Sequence, residues 1–319
     1  TGSHQGLLIC AAGIFVCYFY FGILQEKITR GQYGEGENKE KFTYMFALVF
    51  FQCLVNYVFA KLILLTVMKQ GEDSTRTIYY GLSSLTYLLA MVCSNMALQF
   101  VNYPTQVVGK AGKPIPVMIL GVLLGRKVYP LRKYLFVILI VVGVALFMYK
   151  DNVANAKATE SQMGFGEFLI LLSLTMDGLT GAVQERMRAE HKTKSGHMML
   201  SMNLWSFIFS GLVILVSGEL VTFLSFMQRH PNCLWHVISF SLAGALGQFF
   251  IFLTVSEFGP LPCSVMTTTR KFFTVLGSVL LFGNNLLPRQ WLATVIVFSG
   301  LFLDGMYGKT KTVIKETTK

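Results

Sequence analysis

The sequence predicts an all-α polytopic membrane protein of ten transmembrane helices, on three observations. Of its 319 residues, 53% are hydrophobic and only 13% are charged, with a mean hydropathy of +0.56, whereas soluble domains carry about 25% charged residues. Apolar runs of about 20 residues recur along the whole chain, each long enough to cross a hydrocarbon core of about 30 Å as a helix. Open strands cannot take that role, because lipid leaves their edge hydrogen bonds unmet.

Taken in order, the expected spans are 6–28, 42–68, 77–99, 104–124, 131–149, 164–184, 197–217, 233–256, 260–283 and 289–308. The first run is too long, and too closely followed by others, to be a cleaved leader. Very short connections join the third span to the fourth, at Asn102-Tyr103-Pro104, and the eighth to the ninth, at Gly259-Pro260-Leu261-Pro262. Proline after such residues stops one helix and starts the next. The polar stretches 29–41, 150–163 and 185–196 read as loops, and 218–231 as a short interfacial helix.

Ten spans place both termini on one side. That side carries Lys69, Arg76, Arg126, Lys127, Arg132, Lys133, Arg186, Arg188, Lys192, Lys194 and four tail lysines. The other carries Lys27, Arg30, Lys39, Lys41, Lys150, Lys157, Arg229 and Arg289. The excess of positive charge predicts cytoplasmic termini.

An internal repeat divides the chain into a first unit, 1–159, and a second, 160–319. At a shift of 158, Gln99-Phe100 falls on Glu257-Phe258, Pro104 on Pro262, Lys113 on Lys271 and Pro130 on Pro288. At a shift of 159, Gln25-Glu26-Lys27 falls on Gln184-Glu185-Arg186. An odd number of spans per unit turns the second copy upside down, the arrangement of secondary transporters whose substrate sites lie where the halves meet near the midplane.

The charges inside the spans point the same way. Lys110 and Lys113 sit in the fourth span, three apart and so on one helix face, and Arg270 and Lys271 at the repeat-related place in the ninth. Each cation at mid-membrane costs about 2.5–3.5 kcal/mol, so all four would cost about 10–14 kcal/mol if left unpaired. Intramembrane acids (Asp177, Glu257, Glu26, Glu185, Asp304) could compensate them, or an anionic substrate could. The residues nearby suit a phosphate: Thr267, Thr268 and Thr269 before Arg270, and Gln106 and Tyr103 before Lys110. Pro114 and Pro116 loosen the fourth helix beside Lys113 by removing backbone donors. Four clustered cations balance a nucleoside triphosphate, of about four negative charges, better than a nucleotide sugar, of about two. A base would be met by aromatic and amide groups, for which Tyr18, Tyr20, Phe21, Asn203, Trp205 and Gln248 are candidates.

Other chemistries find little support. No phosphate-cradling glycine loop is present, so ATP hydrolysis is not expected to drive the process. No nucleophile with its base, paired catalytic carboxylates or metal cluster stands at the midplane, so neither an enzyme nor a cofactor is expected. No basic stripe suggests a nucleic acid polymer. The six cysteines lie in or beside apolar runs without metal-ligand spacing.

Three segments resemble the nucleotide-sugar transporters of solute carrier family 35, subfamily B. They are Phe15 to Tyr20 continuing through Gly22 to Arg30; Phe100 to Gln106 with Gly109-Lys110 and Lys113-Pro114-Ile115-Pro116; and Thr267 to Phe273. The resemblance implies the drug/metabolite transporter fold and exchange of cytosolic ATP for lumenal ADP across the endoplasmic reticulum membrane, with the Golgi as a second location. It implies substrate contacts at Lys110, Lys113, Arg270 and Lys271 and a gating part for Glu26. UDP-galactose or UDP-glucuronate exchange for UMP is the alternative. The family often ends in lysines three and four places from its end, where this chain has Thr317 and Glu316.

Overall fold

The structure, a computed structural model, describes residues 2–67, 69–123, 127–148, 160–258, 260–307 and 313–314. Its helices are α1 (Gly2–Arg30), α2 (Met45–Thr66), α3 (Thr77–Ala97), α4 (Tyr103–Ala111), α5 (Pro114–Leu123), α6 (Leu131–Met148), α7 (Glu160–His191), α8 (Ser195–Val216), α9 (Glu219–Arg229), α10 (Pro231–Phe258), α11 (Pro260–Phe282) and α12 (Pro288–Tyr307). Two small antiparallel ribbons complete it, β1 (Gln32–Tyr33) with β2 (Glu40–Lys41), and β3 (Lys127–Val128) with β4 (Val313–Ile314).

Seven stretches are long and apolar enough to cross a membrane, lying in α1, α2, α3, α7, α8, α10 and α12. The other three expected spans fall on the α4–α5 pair, on α6 and on α11. Large apolar side chains such as Leu65, Leu131, Val216 and Leu280 stay exposed on the outside, as lipid-facing residues do.

The fourth span is two helices rather than one. Pro114 and Pro116 have no N–H to offer the carbonyls of Lys110 and Gly112, four residues earlier. Those carbonyls accept instead from residues three places on: Lys113 N–H reaches Lys110 O at 3.3 Å, and Ile115 N–H reaches Gly112 O at 3.0 Å. At the start of α4, the Asn102 side chain accepts from Thr105 N–H at 3.1 Å with Pro104 in the first turn, a helix start built as the sequence suggested.

The expected loop 185–196 is a correction. α7 runs on to His191 and α8 begins at Ser195. The polar residues there keep helical spacing, with Arg186 bonded to Glu190 one turn on at 2.8 Å, so the helix projects past its apolar stretch. The loop 29–41 holds the β1–β2 ribbon, and the interfacial segment is α9. Of the expected loop 150–163, residues 150–159 lie outside the described ones.

The helices pair closely as α1 with α10, α2 with α8, α3 with α7, α4 with α11 and α6 with α12. Exchanging α1 for α7, α2 for α8, α3 for α10, α4 for α11 and α6 for α12 maps this set onto itself. Glycine permits the closest approach between α6 and α12, where a methyl at Gly143 would lie 2.6 Å from Val297 and one at Gly300 2.8 Å from Ile140.

The two ends of the bundle are tied differently. Near Arg30, Phe42 packs edge-on against Phe223 and Phe226, and Arg229 bonds Glu40 at 3.0 Å. The Arg30 guanidinium donates to the carbonyls of Leu98 (3.3 Å) and Val101. At the other end Tyr80 donates to Asp73 at 2.5 Å, Thr75 meets Thr193, and Lys194 donates to Gln70 O at 2.9 Å.

Candidate functional site

A cavity of about 260 Å³ lies in the middle of the bundle among α1, α2, α3, α4, α7 and α11. Lys110, Arg270 and Lys271 line it, together with Tyr103, Gln106 and one carboxylate, Asp177. Polar side chains that composition alone had not singled out complete the wall: Gln25, Gln52, Ser94 and Asn95. A helical wheel of the first three spans could have placed them, since each is buried among apolar neighbours.

α4 aims Lys110 across the cavity at α7. Its ammonium donates to Asp177 and, at 2.7 Å, to Ser173, whose hydroxyl donates in turn to Ala90 O at 2.7 Å. Half-buried Lys271 has no carboxylate within 4 Å among the described residues, and it is repelled by Arg270, Lys113 and Lys110. Arg270 lies over the Tyr18 ring, 4.2 Å from its centroid, which fits a desolvated guanidinium on an aromatic face. Its Nε is buried without a hydrogen-bond partner among the described residues. The same side chain borders a second, apolar crevice of about 540 Å³ between α1 and α11, next to Phe19, Phe273 and Gly277.

Lys113 corrects one expectation. It stands at the α4–α5 break, exposed and outside the lining of the cavity, so it does not share a continuous helix face with Lys110. The prolines that end α4 turn it aside. It is nevertheless near enough to repel Lys110 and Lys271.

The acids divide by partner. Asp177 alone among the described carboxylates meets a midplane cation. Asp304 neutralises Lys133 at 2.6 Å, between α12 and α6. Glu26 is buried and accepts from Ser278 at 2.9 Å and from Asn284 at 2.5 Å, which ties α1 to the far end of α11 rather than to the cavity. The side chains of Glu185 and Glu257 lie outside the described ones.

Other expected contacts are not brought together. Buried Asn203 turns back on its own helix, donating to Met199 O at 2.8 Å, and neither it nor Gln248 lines the cavity. Thr267, Thr268 and Thr269 are half-buried and already engaged within the protein, again off this lining. Tyr18 serves through Arg270, while Tyr20 faces outward, 58% exposed. Trp205 packs on Phe209.

A charged cavity enclosed by spans that pair across the bundle is transporter architecture, and comparison with known proteins agrees. Solute carrier family 35 member B1 of Xenopus tropicalis is 59% identical over 314 residues, covering 97% of each chain. The Bos taurus protein of that name is 58% identical, covering 95% of this chain and 94% of its own. The Drosophila melanogaster homolog is 57% identical, covering 96% and 92%. A solved crystal structure aligns over 96% of this chain and 97% of its own with a TM-score of 0.51 at 11% identity, a likeness of fold alone. The pattern of the UAA transporter family matches residues 6–307, and with relatives of this identity along nearly the whole length, this multi-pass membrane chain belongs to the UAA transporter family.

Proposed function

We propose that the chain is an antiporter that exchanges cytosolic ATP for lumenal ADP across the endoplasmic reticulum membrane by alternating access, with both termini in the cytoplasm. One observation carries the reading: among the described residues, three cations converge on a single cavity at the heart of the bundle, and one carboxylate lines it with them. A polyphosphate entering the cavity meets Lys271 and Arg270 first, since neither is held by an acid among the described residues, and then draws Lys110 from Asp177. Its charge cancels their mutual repulsion and lets the two halves close around it. Empty, the repulsion between Lys271 and its cationic neighbours resists closure, which favours exchange over leak. The self-mapping of the helix pairs supports a division into inverted units, 1–159 and 160–319, whose opposite rocking would expose the cavity to each side in turn.

A second reading is exchange of UDP-galactose or UDP-glucuronate for UMP. It is favoured by the Lys110–Asp177 pair, which leaves two lining cations without an ion pair among the described residues to match the roughly two negative charges of a nucleotide sugar. Proteoliposomes loaded with ADP separate the two. Uptake of labelled ATP that excess UDP-sugar does not inhibit supports the first, uptake of UDP-sugar against UMP supports the second, and no counter-flow with either pair overturns both.

A further inference from the structure

The two sides of the cavity differ in kind. Its cations come from α4 and α11, while α1, α2 and α3 supply a wall of uncharged carboxamides and one aromatic ring. Two of these three amides are spoken for, since Gln25 donates to Asn95 at 2.8 Å. Gln52 is different. It is 9% exposed, lines the cavity, and makes no hydrogen bond among the described residues. Its amide atoms are not sealed inside the protein but open onto the cavity. A carboxamide that faces the cavity and is not engaged by the protein has its donor and acceptor open to whatever enters.

An aromatic ring stands beside it. Gly244 on α10 has no side chain, and a methyl there would lie 3.1 Å from the Phe21 ring and 3.9 Å from Gln52 Nε2. Phe21 and Gln52 are therefore neighbours, both packed against α10 and both on the lining of the cavity. Phe21 is held in place by stacking on Phe240, centroids 4.4 Å apart and planes at 20°, and by the edge of Tyr18 at 5.8 Å.

We propose that Gln52, with Phe21 beside it, reads the base of the transported nucleotide. This rests on the nucleotide reading of the site and adds where the base end lies. A glutamine carboxamide presents one donor next to one acceptor, which matches the amino group and ring nitrogen on an adenine edge. Turned over, it also matches the N–H and carbonyl of uracil. Guanine offers an acceptor beside a donor as well, O6 next to N1–H, so the carboxamide accepts this base too. The cations opposite hold the phosphates, so the two ends of the cargo are recognised by different chemistry.

The test is counter-flow in ADP-loaded proteoliposomes, with ATP, GTP and inorganic tripolyphosphate as competitors against the unmodified chain and two variants. Gln52→Met keeps the side-chain volume and loses the amide; it should weaken ATP by about ten- to a hundredfold and leave tripolyphosphate inhibition unchanged. Gln52→Glu offers two acceptors to the two guanine donors; it should shift the ATP-to-GTP ratio by about tenfold or more toward GTP. An unchanged ratio in Gln52→Glu overturns the proposal, as does an equal loss of ATP and tripolyphosphate in Gln52→Met. If no nucleotide competes in the unmodified chain, the nucleotide reading itself has failed and this proposal falls with it, a result distinct from a silent Gln52.

Discussion

Replacing Lys271 with methionine should push stability and binding in opposite directions. Methionine keeps much of the apolar stem and removes only the ammonium. In the empty protein that ammonium has no carboxylate within 4 Å among the described residues, and the repulsion of three other cations, Arg270, Lys113 and Lys110, outweighs the pull of Asp177. Its removal breaks no ion pair and recovers up to about 3 kcal/mol of the cost of a mid-membrane cation. The substrate loses more. A phosphate charge about 4 Å from the ammonium, at an effective dielectric of about 20, is worth about 4 kcal/mol, or roughly a thousandfold in affinity. Thermal unfolding in detergent, with and without ATP, reads both effects. The empty variant should melt at the same temperature or higher, while the upward shift that ATP gives the unmodified chain disappears. An empty variant that melts several degrees lower, with the ATP shift intact, would refute the reasoning and make Lys271 a structural residue.

Lys110→Met should instead destabilise the empty protein by about 1–3 kcal/mol, because it strands Asp177, and a pair 22% and 17% exposed costs less to break than a fully buried one; the same melts measure it. Replacing Pro114 and Pro116 together by alanine returns the two missing N–H donors and should fuse α4 to α5, slowing exchange by about tenfold or more while ATP affinity changes little, as turnover and equilibrium binding would report. Glu26→Gln weakens the acceptor for Ser278 and Asn284 by about 1–2 kcal/mol, so this end should open more often; faster thiol labelling of a cysteine placed by Asn285→Cys would show it.

Much of this site was legible before any coordinates. Lys110, Arg270 and Lys271 stood out because a cation within an apolar run has few reasons to be there, and all three line the cavity. Asn102 and Pro104 announced the start of α4 through the local chemistry of helix ends. Lys113 misled because helical spacing was carried past the end of α4 into the turn before Pro114, where the backbone no longer keeps that spacing. The length of α7 was hidden for a related reason: charged residues read as a loop also suit a helix that has left the membrane. Asn203 and Gln248 were chosen by residue type, yet whether a polar side chain faces a cavity or its own helix is decided by packing among distant segments. That dependence also concealed Gln52, whose lack of a partner becomes visible only once every neighbour is in place.

One turn of α7 touches both pieces of the fourth span. Asp177 holds Lys110 from α4, and the next residue, Gly178, receives α5 so closely that a methyl there would stand 3.1 Å from Pro116 and 3.0 Å from Leu120. The partner of Lys110 and the seat of α5 are thus adjacent residues of one helix. Under the proposed exchange, a cargo that drew Lys110 from Asp177 would act about one residue of helix away from the contact that holds α5.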